Sequence, residues 1–187
     1  SDEALAAWHG AMTQLEAQGA ILIPLALPEI ATLRIVNGSL LMMEAASYHL
    51  TTLRTRLPEL GDFLRQRILA AFFFDTPHHF IRGQQMRAAL RRRCEAIFDS
   101  IDLLSTPSQP TVAPALGVPA STAFTGPFNC LGWPAISLPA GTGAHGLPLA
   151  IQLVAKSWDE ATLLTAAYTY EHVSQSSSGS STRQLGT

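Results

Sequence analysis

Few side chains in this sequence have the types and spacing that chemistry requires. His78-His79 is the best pair of potential metal ligands, yet no H-E-x-x-H or Cys/His spacing accompanies it. Cys94 and Cys130 lie far apart in sequence. A local signature for a nucleophilic thiol is lacking, so buried thiols are the simpler reading. His9, His49, His145 and His172 are scattered and define no Ser/His/Asp order. Gly141, Gly143 and Gly146 fit G-x-G-x-x-G after an apolar run, but a second apolar run follows where a dinucleotide site needs a helix. A tight turn between strands accounts for them better. Arg82, Arg87, Arg91, Arg92 and Arg93 make a basic stripe without aromatic platforms, which reads as a solvated helix face.

These residues sit on a pattern of alternating helices and strands. Ala123–Ala155 organises it: a loop, a short apolar run Ala135–Pro139, a Gly-rich turn and a second run Pro148–Val154. Short runs bounded by Gly and Pro predict buried strands. Upstream, Leu5, Trp8, Met12 and Leu15 predict one helix face, with Gly19 as the residue that ends the helix. Ala20–Leu25 predicts a strand whose Pro24 and Pro28 favour an edge or an early end. Helix formers fill Ile30–Leu53, weakened at Asn37-Gly38. A connection over Leu57–Gly61, a helix over Asp62–Ala71 and a helix from Pro77 to about Ser100 follow. Ile101–Pro107 predicts a strand and Ser108–Pro119 an extended Pro-rich loop. Ser157 and Glu160 fit a capping box opening a last helix packed through Leu163, Ala167 and Tyr170. The Ser/Gly-rich stretch 174–187 predicts a mobile tail.

The chain has 187 residues, 47% hydrophobic and 14% charged, with a net charge of −2. That length suits one domain or part of a larger one, with ample apolar content for a core. The small net charge gives no global attraction to nucleic acid or an anionic membrane. The longest apolar runs, Ala20–Leu27 and Ile68–Phe74, are too short to span a bilayer. With no signal-peptide pattern at the start and two distant cysteines, a reduced cytoplasmic setting is expected.

Four pieces resemble, in order, the C-terminal half of an amidase signature family hydrolase. They are D-L-L-S-T-P (Asp102–Pro107), F-T-G-P-F-N-C-L-G-W-P-A-I-S-L-P-A-G (Phe124–Gly141), H-G-L-P-L-A-I-Q-L-V-A-K (His145–Lys156) and W-D-E-A-T-L-L-T-A-A-Y-T-Y-E (Trp158–Glu171). The resemblance covers about residues 1–173. It implies an α/β fold: part of a mixed β-sheet covered by helices, with residues 1–173 the C-terminal portion of the domain. It also implies hydrolysis of a C–N amide bond by a Ser–cis-Ser–Lys triad, in which a weak hydroxyl nucleophile is activated by an adjacent base.

In the family, the lysine and the Gly/Ser-rich loop lie upstream of all four pieces. The single lysine here, Lys156, does not match the catalytic position, and the serines of Ser176–Ser181 lie in the tail. No catalytic residue is therefore assigned to this chain. The similarity makes Thr106, Thr125, Phe128, Asn129 and Trp133 candidate substrate-pocket walls; Trp133 stands where a smaller residue is expected. Neither cofactor nor metal is expected. The expected partners are a small-molecule amide in the complete enzyme and the missing N-terminal portion or a second copy, with no nucleic acid and no membrane. A non-catalytic assembly module is the alternative.

Overall fold

A computed structural model of the chain describes residues 1–72 and 77–179, the last five as backbone only. Helix α1 spans Asp2–Ala17. Ser1 Oγ accepts from the Ala4 N–H, and Asp2 and Glu3 place negative charge at the helix's positive end. At the other end Gly19 N–H donates to Glu16 O and Ala20 N–H to Leu15 O, with Gly19 at φ 96°. This is the pairing of a Schellman end, and the left-handed φ is why a glycine closes the helix. The buried face is Ala4, Ala11 and Met12, with Trp8 and Leu15 partly buried. Leu5, expected on that face, is exposed.

The strand predicted over Ala20–Leu25 is not formed. Residues 20–27 carry no helical turn and no sheet bridge. A strand exists only through pairing, and no described residue pairs with this segment.

Helix α2 runs Ile30–Tyr48, unbroken through Asn37-Gly38. Leu33, Val36, Leu40 and Met43 recur at steps of 3, 4 and 3 and bury one face, and Ala46 extends it. The interruption falls instead at His49, after which α3 spans Leu50–Thr55. A 3-10 turn covers Leu57–Glu59 and α4 covers Asp62–Ala71. Helix α5 runs Pro77–Glu95 and tightens to a 3-10 turn over Ala96–Asp99, short of the expected Ser100.

Strand β1 is Leu103–Pro107, β2 Ala135–Thr142 and β3 Pro148–Ala155. Their order is β1-β3-β2, with both pairings antiparallel. The three described strands thus form a small antiparallel sheet within the α/β fold. Between β1 and β2 lies helix α6, Gly126–Leu131, where the sequence analysis expects only a loop. Its signal is nevertheless present: Pro127 near the helix start, where a missing N–H costs nothing, and Gly132 after the end at φ 70°.

Helix α7 spans Glu160–Gly179. Its N-cap is Asp159, whose Oδ1 accepts from the Thr162 N–H and hydroxyl. The capping box at Ser157 is therefore not formed; that hydroxyl accepts from Arg91 Nη2 at 2.9 Å. The tail expected over 174–187 falls partly on α7, and 180–187 lie outside the described residues.

The central strand β3 is buried from Ile151 to Ala155 and divides the core. On one face Leu138, Ile151, Leu153 and Ala155 meet Ala11 and Met12 of α1 and Leu163, Ala167 and Tyr170 of α7. Tyr170 Oη also donates to Pro139 O at 3.0 Å. On the other face Val154 and Leu104 join Phe128, Leu131 and Trp133 with α2 and α5. Among the described residues no helix is long and apolar enough to cross a membrane.

Candidate functional site

Pairing places Thr106 opposite Gln152 and Gln152 opposite Ser137. Side chains directly opposed in a sheet share a face. Thr106, Gln152 and Ser137 therefore form a polar row across all three strands, on the face away from α1 and α7. Gln152 is only 5% exposed. Its Nε2 donates to Thr106 Oγ1 at 3.2 Å and to Phe124 O at 2.9 Å. Ser108, also buried, shares a hydrogen bond of 2.7 Å with Ser137 Oγ. At β2 the row opens to solvent: Ala135, Ser137 and Pro139 are exposed on this face.

The five residues expected as pocket walls divide among four places. Thr106 lies in the polar row. Thr125 precedes α6 and adjoins Phe124, the residue whose carbonyl Gln152 holds. Asn129 is exposed at the mouth of a cavity of about 130 Å³, shared with Asn37, Glu44, Arg87 and Cys130. Phe128 and Trp133 are core residues, stacked with centroids 6.3 Å apart, and Phe98 meets Trp133 edge-on at 4.8 Å. Sequence reasoning missed Gln152, Ser108 and Ser137. The signal for Gln152 was a lone polar residue inside the apolar run P-L-A-I-Q-L-V-A.

Three arginines of the α5 stripe reach other parts of the fold, while Arg82 and Arg92 are exposed. Arg87 Nε donates to Cys130 O at 2.6 Å, Arg91 reaches Ser157, and Arg93 pairs with Glu29 at 2.9 Å. Both cysteines are free and buried. Burial pushes the Cys130 thiol up against the opposing effect of Arg87, and pushes Cys94 up to about 11. Such thiols stay protonated and are poor nucleophiles. The glycine-rich turn is closed by α1: Glu3 Oε2 accepts from Ala144 N–H at 2.7 Å and lies 2.6 Å from where a Cβ on Gly143 would stand. The His78 and His79 rings meet edge to face at 5.8 Å, and among the described residues no three His, Cys, Asp or Glu side chains gather as a metal site. Lys156 is exposed, and among the described residues it makes no hydrogen bond to a serine hydroxyl.

Comparison with known proteins agrees with this architecture. The family described as Amidase matches residues 1–164. The chain belongs to the amidase family. A glutamyl-tRNA(Gln) amidotransferase component from Parvibaculum lavamentivorans is 34% identical over 132 residues, covering 63% of this chain and 26% of that protein. Its namesake from Synechococcus sp. (strain CC9605) is 32% identical, covering 92% of this chain and 42% of that protein. An inhibitor-bound vestigial complex bearing on the origins of an s-triazine catabolic enzyme superposes with a TM-score of 0.81 at 25% identity, over 91% of this chain and 39% of that one. The amidase family chain therefore spans well under half the length of these relatives.

Proposed function

We propose that this chain supplies the sheet scaffold and one substrate-pocket wall of an enzyme that hydrolyses C–N amide bonds. The nucleophilic serine, its base and the oxyanion donors come from a portion of the fold outside these residues. The observation that carries this reading is the polar row Ser137–Gln152–Thr106, exposed at β2 and tied through Phe124 to the α6 loop. An amide substrate needs donors and acceptors fixed on a rigid support, and side chains on a packed sheet give that rigidity. In this reading Thr106 and Thr125, on either side of the Gln152 amide, belong to the wall, Asn129 lines the adjoining cavity beside α2 and α5, and Phe128 and Trp133 back the α6 loop from the core.

Two measurements on the full chain test this. Ammonia release from simple aliphatic and aromatic amides is expected to match the buffer blank, and a fluorophosphonate probe is expected to leave the serines unlabelled. Hydrolysis together with labelling would place the nucleophile within this chain and overturn the division of labour. The second reading, a non-catalytic module that pairs with itself, draws on the exposed apolar residues Ile21, Leu22, Ile23 and Leu25. Sedimentation across a range of concentrations tests it, a dimer being the outcome that favours it.

A further inference from the structure

The cavity of about 130 Å³ between α2, α5 and α6 gathers polar side chains with unused capacity. Asn37 and Glu44 stand two turns apart on one face of α2, above the buried Leu40. Arg87 comes from α5 and Asn129 from α6. Glu44 and Arg87 line the same space, yet they do not pair with each other. Among the described residues Glu44 makes no ion pair and no side-chain hydrogen bond, and the side-chain amides of Asn37 and Asn129 make none either.

The walls are set by helix packing. Arg87 Nε donates to Cys130 O at 2.6 Å, which fixes the plane of the guanidinium and leaves its two Nη groups to donate elsewhere. Two glycines let the helices close on the cavity. A Cβ on Gly126 would stand 3.4 Å from Asn37 Nδ2, and one on Gly83 would stand 2.9 Å from Leu40 Cδ2. Polar groups carried by packed helices are held in place before a ligand arrives. None of them belongs to the polar row of the sheet.

The charges select the ligand. A lone cation drawn to Glu44 would meet the like charge of Arg87, and a lone anion drawn to Arg87 would meet Glu44. A molecule with one positive and one negative end satisfies both. Asn37 and Asn129 can each donate and accept, so they serve either end. The volume is that of about four waters at ~30 Å³ each, which limits the ligand to a short one. We propose that this cavity binds a small zwitterionic amino acid, its ammonium on Glu44 and its carboxylate on Arg87. Glu44 and Asn129 are exposed, so the site is open on one side and its affinity is on the order of millimolar.

The test titrates the isotope-labelled full chain with glycine, acetate, methylammonium and acetamide, following the side-chain amide signals of Asn37 and Asn129 by NMR. Glycine is expected to move both signals saturably, with acetate and methylammonium each at least tenfold weaker. Glu44→Gln is expected to weaken glycine at least tenfold and to strengthen acetate, since the repelling charge is gone. Glu44 is exposed on its helix, so circular dichroism of this variant is expected to match the parent. Acetate as effective as glycine, or a variant that binds glycine as the parent does, overturns the two-ended assignment. Acetamide equal to glycine overturns the ligand class in favour of a neutral amide. No saturable shift with any probe leaves a water-filled gap between Glu44 and Arg87 and overturns the site. Binding is read without turnover, so each result stands apart from the outcome of the amide-hydrolysis assay.

Discussion

Gln152 Nε2 donates to the carbonyl oxygen of Phe124 at 2.9 Å, joining the central strand to the loop that leads into α6. The same nitrogen donates to Thr106 Oγ1, so one buried amide fixes two segments against β3. In a low-dielectric interior such a group stabilises only while its partners are present, and it also specifies where they sit.

Replacing Gln152 by Met retains volume and removes both hydrogen bonds. A buried carbonyl left without its donor costs about 1–3 kcal/mol. Urea unfolding is expected to show a loss of that order, with faster amide exchange concentrated around Ser121–Gly126. Gln152→Glu is expected to lose more, because a buried carboxylate would face the Phe124 carbonyl. A Met variant as stable as the parent would show that the amide does not hold the loop.

Trp133 packs between Phe98 and Phe128, and its indole N–H is buried without a hydrogen-bond partner. The two facts pull in opposite directions. Trp133→Ala opens a cavity among aromatic rings and is expected to cost about 3–5 kcal/mol. Trp133→Phe keeps an aromatic ring and removes the orphan donor, so its cost is expected to fall well below that of the alanine variant. Chemical denaturation of the pair decides it: equal losses would mean that the unpaired N–H carries no penalty.

Sequence signals are legible where local physics decides the outcome. The Gly19 helix end, the α4 and β3 spans and the breaker-bounded hairpin all follow from capping, φ preference and apolar runs within a few residues. The departures share a different cause. Ala20–Leu25 reads as a strand by composition, yet pairing depends on a neighbour that sequence cannot place. Ser157 reads as an N-cap, but Arg91, 66 residues away, takes its hydroxyl and Asp159 caps instead. The polar row is invisible for the same reason: Thr106, Ser137 and Gln152 meet only through strand register. Helix α6 is the exception, since Pro127 and Gly132 both mark it within its own few residues.

Gly132 closes α6 at φ 70°, and both it and Trp133 return their N–H groups to Phe128 O. A Cβ there would meet only Arg87 Nη2, at 4.0 Å, so space is not limiting. The left-handed conformation alone costs a non-glycine residue about 1–2 kcal/mol. Gly132→Ala is expected to lower stability by that amount, and Gly132→Asn by less, since Asn tolerates this region better. Thermal or urea unfolding of the two variants checks the order; an unchanged alanine variant would show that the turn relaxes freely.

Cys94 is 1% exposed in the core between α2 and α6. Burial is the main cause that pushes its thiol up to about 11 from 9.0, with Glu29 adding to the shift and Arg93 opposing it. The folded chain therefore keeps a proton that the unfolded chain gives up. Where the unfolded state binds fewer protons, stability falls as pH rises. The contribution from Cys94 is intact below about pH 9 and is lost progressively towards about pH 11. Cys130 and Tyr170 are shifted up by burial as well and act in the same direction. Urea midpoints measured from pH 7 to 10.5 are expected to decline over the upper part of that range. Cys94→Ala should decline less steeply, even though its smaller side chain lowers stability at pH 7. The same burial should make thiol alkylation at pH 8 slow until urea is added. A slope identical in parent and variant would show that the Cys94 thiol titrates alike in the folded and unfolded chain.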